Sequence, residues 1–217
     1  MDRGRISVIA YTAIMGEYDL PKGQPLSDVG FIRVQSVPFT GSDRMRARWA
    51  KLLGHRLFPG VQYLLWVDGS IQLNPCSLRS LVEEHLAEHD MAVMRHPSLD
   101  CIYEDPVLCL AAGKCTAEQV KAAHIHYESI GYPRKAGHTE HGMILRRVTP
   151  SIIALCEAWL EEMIRTGTER DQWHMAPIAR DMGIAYKVIP DRFFTVHHHN
   201  KGHHALTAKR LLQSRKG

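Results

Sequence analysis

Residues 63–73, Tyr-Leu-Leu-Trp-Val-Asp-Gly-Ser-Ile-Gln-Leu, carry the clearest structural signal in the chain. The apolar run 61–67 ends abruptly at Asp68-Gly69. A short apolar run bounded by turn residues is typical of a buried strand in a parallel sheet. An acid directly after such a strand lies at the carboxyl edge of the sheet, where open α/β sheets bind ligands. The stretch therefore predicts an α/β fold with a functional Asp68, although Asp-Gly is also a common turn pair.

Strand and helix patterns alternate on both sides of this stretch. Strands are predicted at 5–14, 30–37, 61–67, 91–95, 142–148 and 184–189, and helices at 43–57, 77–89, 116–130, 150–165, 170–182 and in the basic C-terminal segment. Ser42 or Asp43, Ser77 and Thr116 are the expected N-caps. Residues 96–115 have no clear period and predict a functional loop. The alternation indicates a single layered domain, residues 1–217, with a mainly parallel central sheet flanked by helices.

Composition is that of an ordinary globular protein, with 45% hydrophobic and 23% charged residues in 217. No stretch approaches the roughly 18 to 20 apolar residues of a membrane span, and no signal-peptide cleavage site follows the N-terminus. We therefore expect a cytoplasmic protein without a membrane span. The five cysteines form no CxxC pair, which argues against a disulfide framework or a zinc knuckle.

The net charge of +4 comes from basic residues concentrated at 44–56 and in the tail 201–217. Arg44, Arg48 and Lys51 fall on one helix face at i, i+4 and i+7. Such a face can bind phosphate groups or an acceptor, or it can simply be solvated.

Fourteen histidines are an unusual number, and five of them lie between His197 and His204. If the last strand continues through this segment, His197 and His199 share one face. Imidazole is a good ligand for manganese and similar ions, and Lys201 beside it is placed to contact phosphate. A solvated polar loop and a zinc site built from these histidines alone are the alternatives.

Two further acids are candidates for a site. Glu140 lies between Gly137 and Gly142, just before a predicted strand, and Asp171 lies in the first turn of a predicted helix. Glu140 is placed either to hydrogen-bond ligand hydroxyls or in a surface turn. Asp171 is either a catalytic or acceptor-binding carboxylate or a complement to the helix dipole.

Several motifs of this chain resemble motifs of the glycosyltransferase-like domain of the plant turgor-regulation-defect and mucilage-related proteins, and they occur in the same order along the sequence. That domain also has bacterial relatives. The resemblance covers roughly residues 8 to 175 and indicates a soluble bacterial or phage-type relative. Its motifs are Tyr11-Thr12-Ala13-Ile14 with Gly16 and Tyr18-Asp19, His55 with Phe58-Pro59, residues 65–73, His96-Pro97, Cys101-Ile102-Tyr103-Glu104, Gly137 with Glu140, and Arg170-Asp171-Gln172.

The resemblance implies a GT-A-like fold and sugar transfer from a nucleotide-diphosphate donor. It carries Asp68 over as the metal and diphosphate residue, Tyr11, Thr12 and Asp19 as contacts of the base and ribose, and Glu140 and Asp171 as residues near the sugar. Ser70 stands where an Asn or Asp is more usual in the metal motif. Residues 5–75 would then form the nucleotide- and metal-binding half, and 90–200 the sugar- and acceptor-binding half.

The resulting hypothesis is a metal-dependent glycosyltransferase that uses Mn²⁺ or Mg²⁺ and a nucleotide-sugar, with a UDP-sugar favoured. The acceptor is a hydroxyl on a glycan or on a modified DNA base. The predicted metal ligands are Asp68, Ser70, His197 and His199, the predicted catalytic residues are Glu140 and Asp171, and Arg48, Lys51 and Lys201 are expected to add positive charge at the leaving group.

Two other functions remain open from the sequence. A metal-dependent hydrolase would use Asp68 and the histidines to activate water and would need no nucleotide-sugar. A nucleic-acid-binding module would use the basic helix and tail, and its affinity would fall steeply with salt.

Overall fold

The computed structural model describes residues 7–16, 23–190 and 194–196. The strands are β1 (Val8–Ala13), β2 (Phe31–Val34), β3 (Tyr63–Val67), β4 (Ile71–Leu73), β5 (Met91–Arg95), β6 (Thr139–Arg147), β7 (Lys187–Ile189) and β8 (Phe194–Val196). The helices are α1 (Asp43–Leu52), α2 (Gly54–Leu57), α3 (Leu78–His85), α4 (Glu104–Ala111), α5 (Ala117–Ser129), α6 (Pro150–Thr166) and α7 (Met175–Asp181), with a 3₁₀ turn at Asp171–Trp173 before α7.

The central sheet has six strands in the order β2-β1-β3-β6-β5-β7. All of them run in one direction except β6, which is antiparallel to both of its neighbours. The predicted α/β domain with a mainly parallel central sheet flanked by helices is therefore confirmed. Because β1 and β3 are parallel neighbours, their carboxyl ends meet at the same edge of the sheet.

The core forms two apolar layers, one on each face of the sheet. In β3 the side chains alternate: Leu64 and Trp66 pack with α1 and α6, whereas Leu65 and Val67 pack with α3, β4 and β8. Period-2 alternation with both faces covered explains why β3 is an uninterrupted apolar run. Asp68 directly follows this apolar run and lies at the edge of the sheet.

The predicted N-caps are confirmed at three helices. Ser42 accepts a hydrogen bond from the backbone of Met45, and Ser77 caps α3 in the same way. Thr116 and Gln119 form a capping box at α5. These side chains satisfy amide groups that a helix cannot pair internally.

Several predicted boundaries differ from the structure. The loop expected at 96–115 contains α4, because Pro106 lies in the first helical turn, where a missing amide hydrogen removes no helical bond. The helix expected at 43–57 breaks at Leu53, and the one expected at 170–182 begins as a 3₁₀ turn. Strand β6 begins at Thr139, so Glu140 lies within it.

A second, two-stranded sheet pairs β4 with β8 in antiparallel orientation, with Ile71 opposite Val196. It begins directly after the turn that contains Asp68. Within the described ranges, no helix combines the length and the apolar character needed to cross a membrane.

Gly54 tests how tightly α1 and α2 pack on β1. A Cβ at Gly54 would lie 2.1 Å from the Tyr11 hydroxyl, which is fixed near the carbonyl oxygens of Ala50 and Lys51 and accepts a hydrogen bond from Arg146. We expect Gly54→Ala to lower the free energy of unfolding by about 1–3 kcal/mol, as overpacking does. Gly30→Ala is the matched control, because nothing lies within 4 Å of its Cβ position. Urea denaturation measures both, and a Gly54→Ala variant as stable as the parent would contradict this packing.

Candidate functional site

An open cleft of about 200 Å³ lies where β1 and β3 end and α1 passes over them. It is lined by Ala13, Ile14, Met15, Asp43, Arg44, Ala47, Arg48, Trp66, Asp68, Gly69 and Ser70. This is the carboxyl edge of two parallel strands, the place where α/β sheets bind ligands. The cleft joins an apolar wall from β1 to charged side chains from α1 and from the end of β3.

Asp68 is one of the two carboxylates that line this cleft, and its side chain is 33% exposed. The indole nitrogen of Trp66 donates a hydrogen bond of 2.7 Å to Asp68 Oδ1. Lys51 Nζ lies 3.4 Å from the same oxygen. The backbone amide of Asp68 donates to the carbonyl of Gly142 at 2.7 Å, which fixes the turn against β6. The sequence therefore placed Asp68 correctly at the edge of the sheet.

Behind Asp68 lies a buried group of alternating charges. Lys51 Nζ is 2.6 Å from Asp171 Oδ2, and Arg48 Nη2 is 3.2 Å from Asp171 Oδ1. The side chains of Lys51 and Asp171 are 1% and 4% exposed. Burial alone would raise the pKa of Asp171, but Arg48 and Lys51 outweigh burial and hold that pKa far below its usual range. Asp171 is therefore ionised near pH 7 and is the partner of two cationic side chains.

The basic face of α1 is paired along its length with the segment 169–171. Arg44 Nη1 lies 3.1 Å from a carboxylate oxygen of Glu169, and the Arg48 side chain is 3.5 Å from the Glu169 carbonyl. Arg44 and Arg48 still line the cleft, whereas Lys51 lies beneath it. A phosphate contact by Arg48 fits this placement, while Lys51 is directed at Asp68 and Asp171.

Tyr11 and Thr12 are both fully buried in β1. Burial raises the pKa of Tyr11 to about 12, so its hydroxyl stays protonated. The residues that line the cleft are Ala13, at the end of β1, and Ile14 and Met15, directly after the strand. Contact of Tyr11 and Thr12 with a nucleotide stays a prediction, and the same holds for Asp19, His197, His199 and Lys201, which lie outside the described residues.

Glu140 and Gly142 are half-buried in β6, while the alternate residues Thr139, His141 and Met143 are buried. A Cβ on Gly142 would lie 3.7 Å from Asp68 Oδ2, so this strand borders the Asp68 carboxylate. Ser70 lines the cleft two residues after Asp68. The structure thus brings Asp68 and Ser70 together at the cleft, and Glu140 lies one strand away from them.

A second buried polar cluster, which sequence reasoning missed, surrounds Asp105 at the start of α4. Asp105 Oδ2 accepts a 3.0 Å hydrogen bond from the indole of Trp173 and lies 3.5 Å from His138 Nε2. The ring of His96 stacks on that of His138. No sequence signal links Asp105 to Trp173, because they are 68 residues apart and neither belongs to a spaced motif with the other.

The sequence analysis also missed His141, a buried polar residue next to the charged group of Arg48, Lys51 and Asp171. Its Nε2 lies 3.0 Å from the hydroxyl of Thr139, and its ring meets Trp159 edge-on. Burial lowers the pKa of His141 to about 3, so it is neutral near pH 7.

Within the described ranges, no group of three or more His, Cys, Asp or Glu side chains is arranged to hold a metal ion.

These features define an α/β domain with a strand-end carboxylate and cationic side chains in an open cleft. A family model of the TOD1/MUCI70 glycosyltransferase-like domain matches residues 8–201. The chain therefore belongs to the TOD1/MUCI70 glycosyltransferase-like domain family, which confirms the resemblance inferred from its motifs. No curated protein sequence matches the chain at a significant level.

Two solved structures are similar to the chain. One is a glycosyltransferase involved in glycosylation of the major capsid of PBCV-1, with a TM-score of 0.41 and 10% identity over 75% of this chain and 67% of that one. The other is mouse xyloside xylosyltransferase 1 in its apo form, with a TM-score of 0.41 and 16% identity over 69% of this chain. The chain covers 53% of the length of that mouse protein.

The Asp105 cluster generates a prediction about acid stability. Burial would raise the pKa of Asp105, but His138 and Arg170 outweigh burial and lower it to about 2 from 3.8. Asp105 therefore stabilises the fold above about pH 4, and this contribution of about 2 kcal/mol disappears as the pH falls toward 2. We expect Asp105→Asn to be less stable than the parent at pH 6, with a difference that shrinks toward pH 2.

Urea denaturation across this pH range checks the Asp105 prediction. Asp100→Asn is the matched control, because that carboxylate is 63% exposed and lies 3.8 Å from Arg95. A constant difference between Asp105→Asn and the parent from pH 6 to pH 2 would show that Asp105 is not the titrating group.

Proposed function

We propose that the chain is a metal-assisted glycosyltransferase that moves a sugar from a nucleoside-diphosphate donor, with a UDP-sugar favoured, to a hydroxyl acceptor. The observation that carries this proposal is the partly exposed carboxylate of Asp68 in a cleft that Arg44 and Arg48 also line. The family of the chain supports sugar transfer as the reaction class. The proposed acceptor is a glycan or a modified DNA base, and the proposed location is the cytoplasm.

The lining of the cleft suits a nucleoside diphosphate. Ala13, Ile14 and Ala47 offer apolar surface for a base, and the guanidinium groups of Arg44 and Arg48 offer donors to phosphate oxygens. Arg48 is 15% exposed and is held by Asp171, so its guanidinium is oriented before a ligand arrives. Preorganised cations at a departing diphosphate favour the transition state, in which negative charge develops there.

Mn²⁺ or Mg²⁺ is proposed to bind at Asp68. The hydrogen bond from Trp66 and the contact with Lys51 both involve Oδ1. Such ions commonly use one or two protein carboxylates and complete their coordination with substrate phosphates and water. When bound, the ion would neutralise the diphosphate and stabilise its departure. Asp68 and Ser70 are the proposed ligands among the described residues.

His197 and His199 are proposed as further ligands. The support for this is the pairing of β8 with β4, in which Val196 lies opposite Ile71, the residue directly after Ser70. Lys201 is proposed to add positive charge at the same diphosphate.

Glu140 is proposed to orient the sugar or the acceptor and, if the reaction inverts configuration, to act as the general base. Asp171 suits that role less well, because a carboxylate whose pKa lies far below its usual range is a weak base. Its two ion pairs favour a role in holding Arg48 and Lys51 in place.

The proposal predicts metal-dependent nucleotide binding. UDP should raise the melting temperature, and the increase should be larger with Mn²⁺ or Mg²⁺ than without, because a ligand that binds only the folded state stabilises it. A thermal-shift panel of nucleoside diphosphates, each with and without Mn²⁺, measures this. If no nucleotide shifts the melting temperature under any metal condition, the donor site is not in this protein. Turnover without a nucleotide-sugar would instead indicate a hydrolase.

Asp68→Asn tests the role of the carboxylate itself. The change keeps the size of the side chain and removes the charge that holds the cation, so the Mn²⁺-dependent part of the UDP shift should disappear. Turnover of the nucleotide-sugar, measured as nucleoside diphosphate released, should fall by about 10² or more. Asp181→Asn is the control, since Asp181 is exposed at the end of α7. Full turnover in a destabilised Asp68→Asn variant would show that Asp68 stabilises the turn and has no role in turnover.

A further inference from the structure

Lys51 is unusual because its charged amine is almost completely buried. The side chain is 1% exposed, and it leaves α1 toward the sheet rather than toward solvent. A buried ammonium is costly unless it is paired and hydrogen-bonded. A position so strictly paired is more consistent with a specific task than with a solubilising surface charge.

The backbone of Lys51 is fixed as firmly as its side chain. Its carbonyl oxygen accepts a 2.8 Å hydrogen bond from Arg146 and lies 3.1 Å from the Tyr11 hydroxyl. Both Arg146 and Tyr11 are buried in the sheet. The start of the Lys51 side chain is therefore set by the sheet.

The ammonium group of Lys51 is held between two carboxylates that have different environments. Asp171, 2.6 Å away, is buried and is also paired with Arg48. Asp68, 3.4 Å away, is partly exposed and faces the cleft. Asp171 thus anchors the ammonium on the inner side, and the ammonium contacts Asp68 on the outer side.

The contacts of Lys51 and Trp66 converge on one oxygen of Asp68. Trp66 Nε1 donates to Oδ1 at 2.7 Å, and Lys51 Nζ approaches the same atom while lying 5.7 Å from the centre of the Trp66 ring. Both contacts orient the carboxylate through Oδ1. The other oxygen, Oδ2, borders Gly142 of β6.

We propose that Lys51 is a positioning residue that, anchored by Asp171, fixes the orientation of the Asp68 carboxylate in the donor site. It acts through Asp68 and does not contact the donor. This inference rests on the proposed function for its effect on nucleotide binding. The orientation of Asp68 itself is a property of the ligand-free protein and is tested separately.

The first measurement needs no ligand. Hydrogen exchange of the four tryptophan indole groups is followed by NMR, with Trp66→Phe used to assign the Trp66 signal. In Lys51→Met, the Trp66 indole should exchange at least tenfold faster, because Asp68 is no longer held against it. The Trp173 indole, which donates to Asp105, is the internal control and should keep its rate. Unchanged exchange at Trp66 would overturn the proposal.

The second measurement is the affinity for UDP with Mn²⁺ in a double-mutant cycle. Lys51→Met should weaken binding about tenfold in the parent and have little further effect in Asp68→Asn, because residues that act through one another are not additive. Equal weakening in both backgrounds would mean that Lys51 contacts the donor directly. Unchanged affinity in Lys51→Met would mean that Lys51 has only a structural role in the fold. Each of these two results overturns the proposal.

Two further variants keep the test decisive. Arg56→Met is the matched control on the neighbouring helix α2, because Arg56 is exposed and pairs with Glu157, and neither residue lines the cleft; it should behave as the parent does. If Lys51→Met does not fold, Lys51→Met with Asp171→Asn removes the uncompensated buried carboxylate and should show the same faster exchange at Trp66. If the parent binds no nucleoside diphosphate, the proposed function fails, whereas the indole exchange still decides the role of Lys51.

Discussion

The ion pair between Lys51 and Asp171 is the interaction on which the arrangement of the site depends. It joins α1 to the segment that precedes α7, and through Asp68 it also joins both to the end of β3. Neither charge can be buried alone, so each requires the other in place. α1 lies across the carboxyl edge of β1 and β3, and from there Lys51 contacts both acids.

The sheet provides the rigid frame for these charges. Parallel pairing of β1 with β3 brings an apolar wall and a carboxylate to one edge, and antiparallel β6 closes the far side of Asp68 through Gly142. The open cleft thus lies where strands end and the core stops. The Asp105 cluster is a second, separate network, which ties α4 to Trp173 and to His138 and so braces the half of the domain beyond β6.

The sequence predicted the parts of this structure that depend on local patterns. The apolar run ending at Asp68, the caps Ser42, Ser77 and Thr116, and the alternation of elements were sufficient for the fold class and for the position of Asp68 at the edge of the sheet. Helix α4 was missed because residues 96–115 show no clear period, although a first-turn proline such as Pro106 is compatible with a helix. The spacing of Arg44, Arg48 and Lys51 gave their common face, but not that acids at 169–171 would pair with it.

Contacts between distant segments were beyond such patterns. Nothing local indicates that Asp105 pairs with Trp173, or that β8 pairs with β4 beside the Asp68 turn. The central claim is that this edge of the sheet binds a nucleoside diphosphate, and a crystal structure with UDP and Mn²⁺ tests it most directly. The account predicts density for the diphosphate beside Asp68 and Arg48, with the base against Ala13 and Ile14. Density for the nucleotide elsewhere on the protein, with this cleft empty, would contradict it.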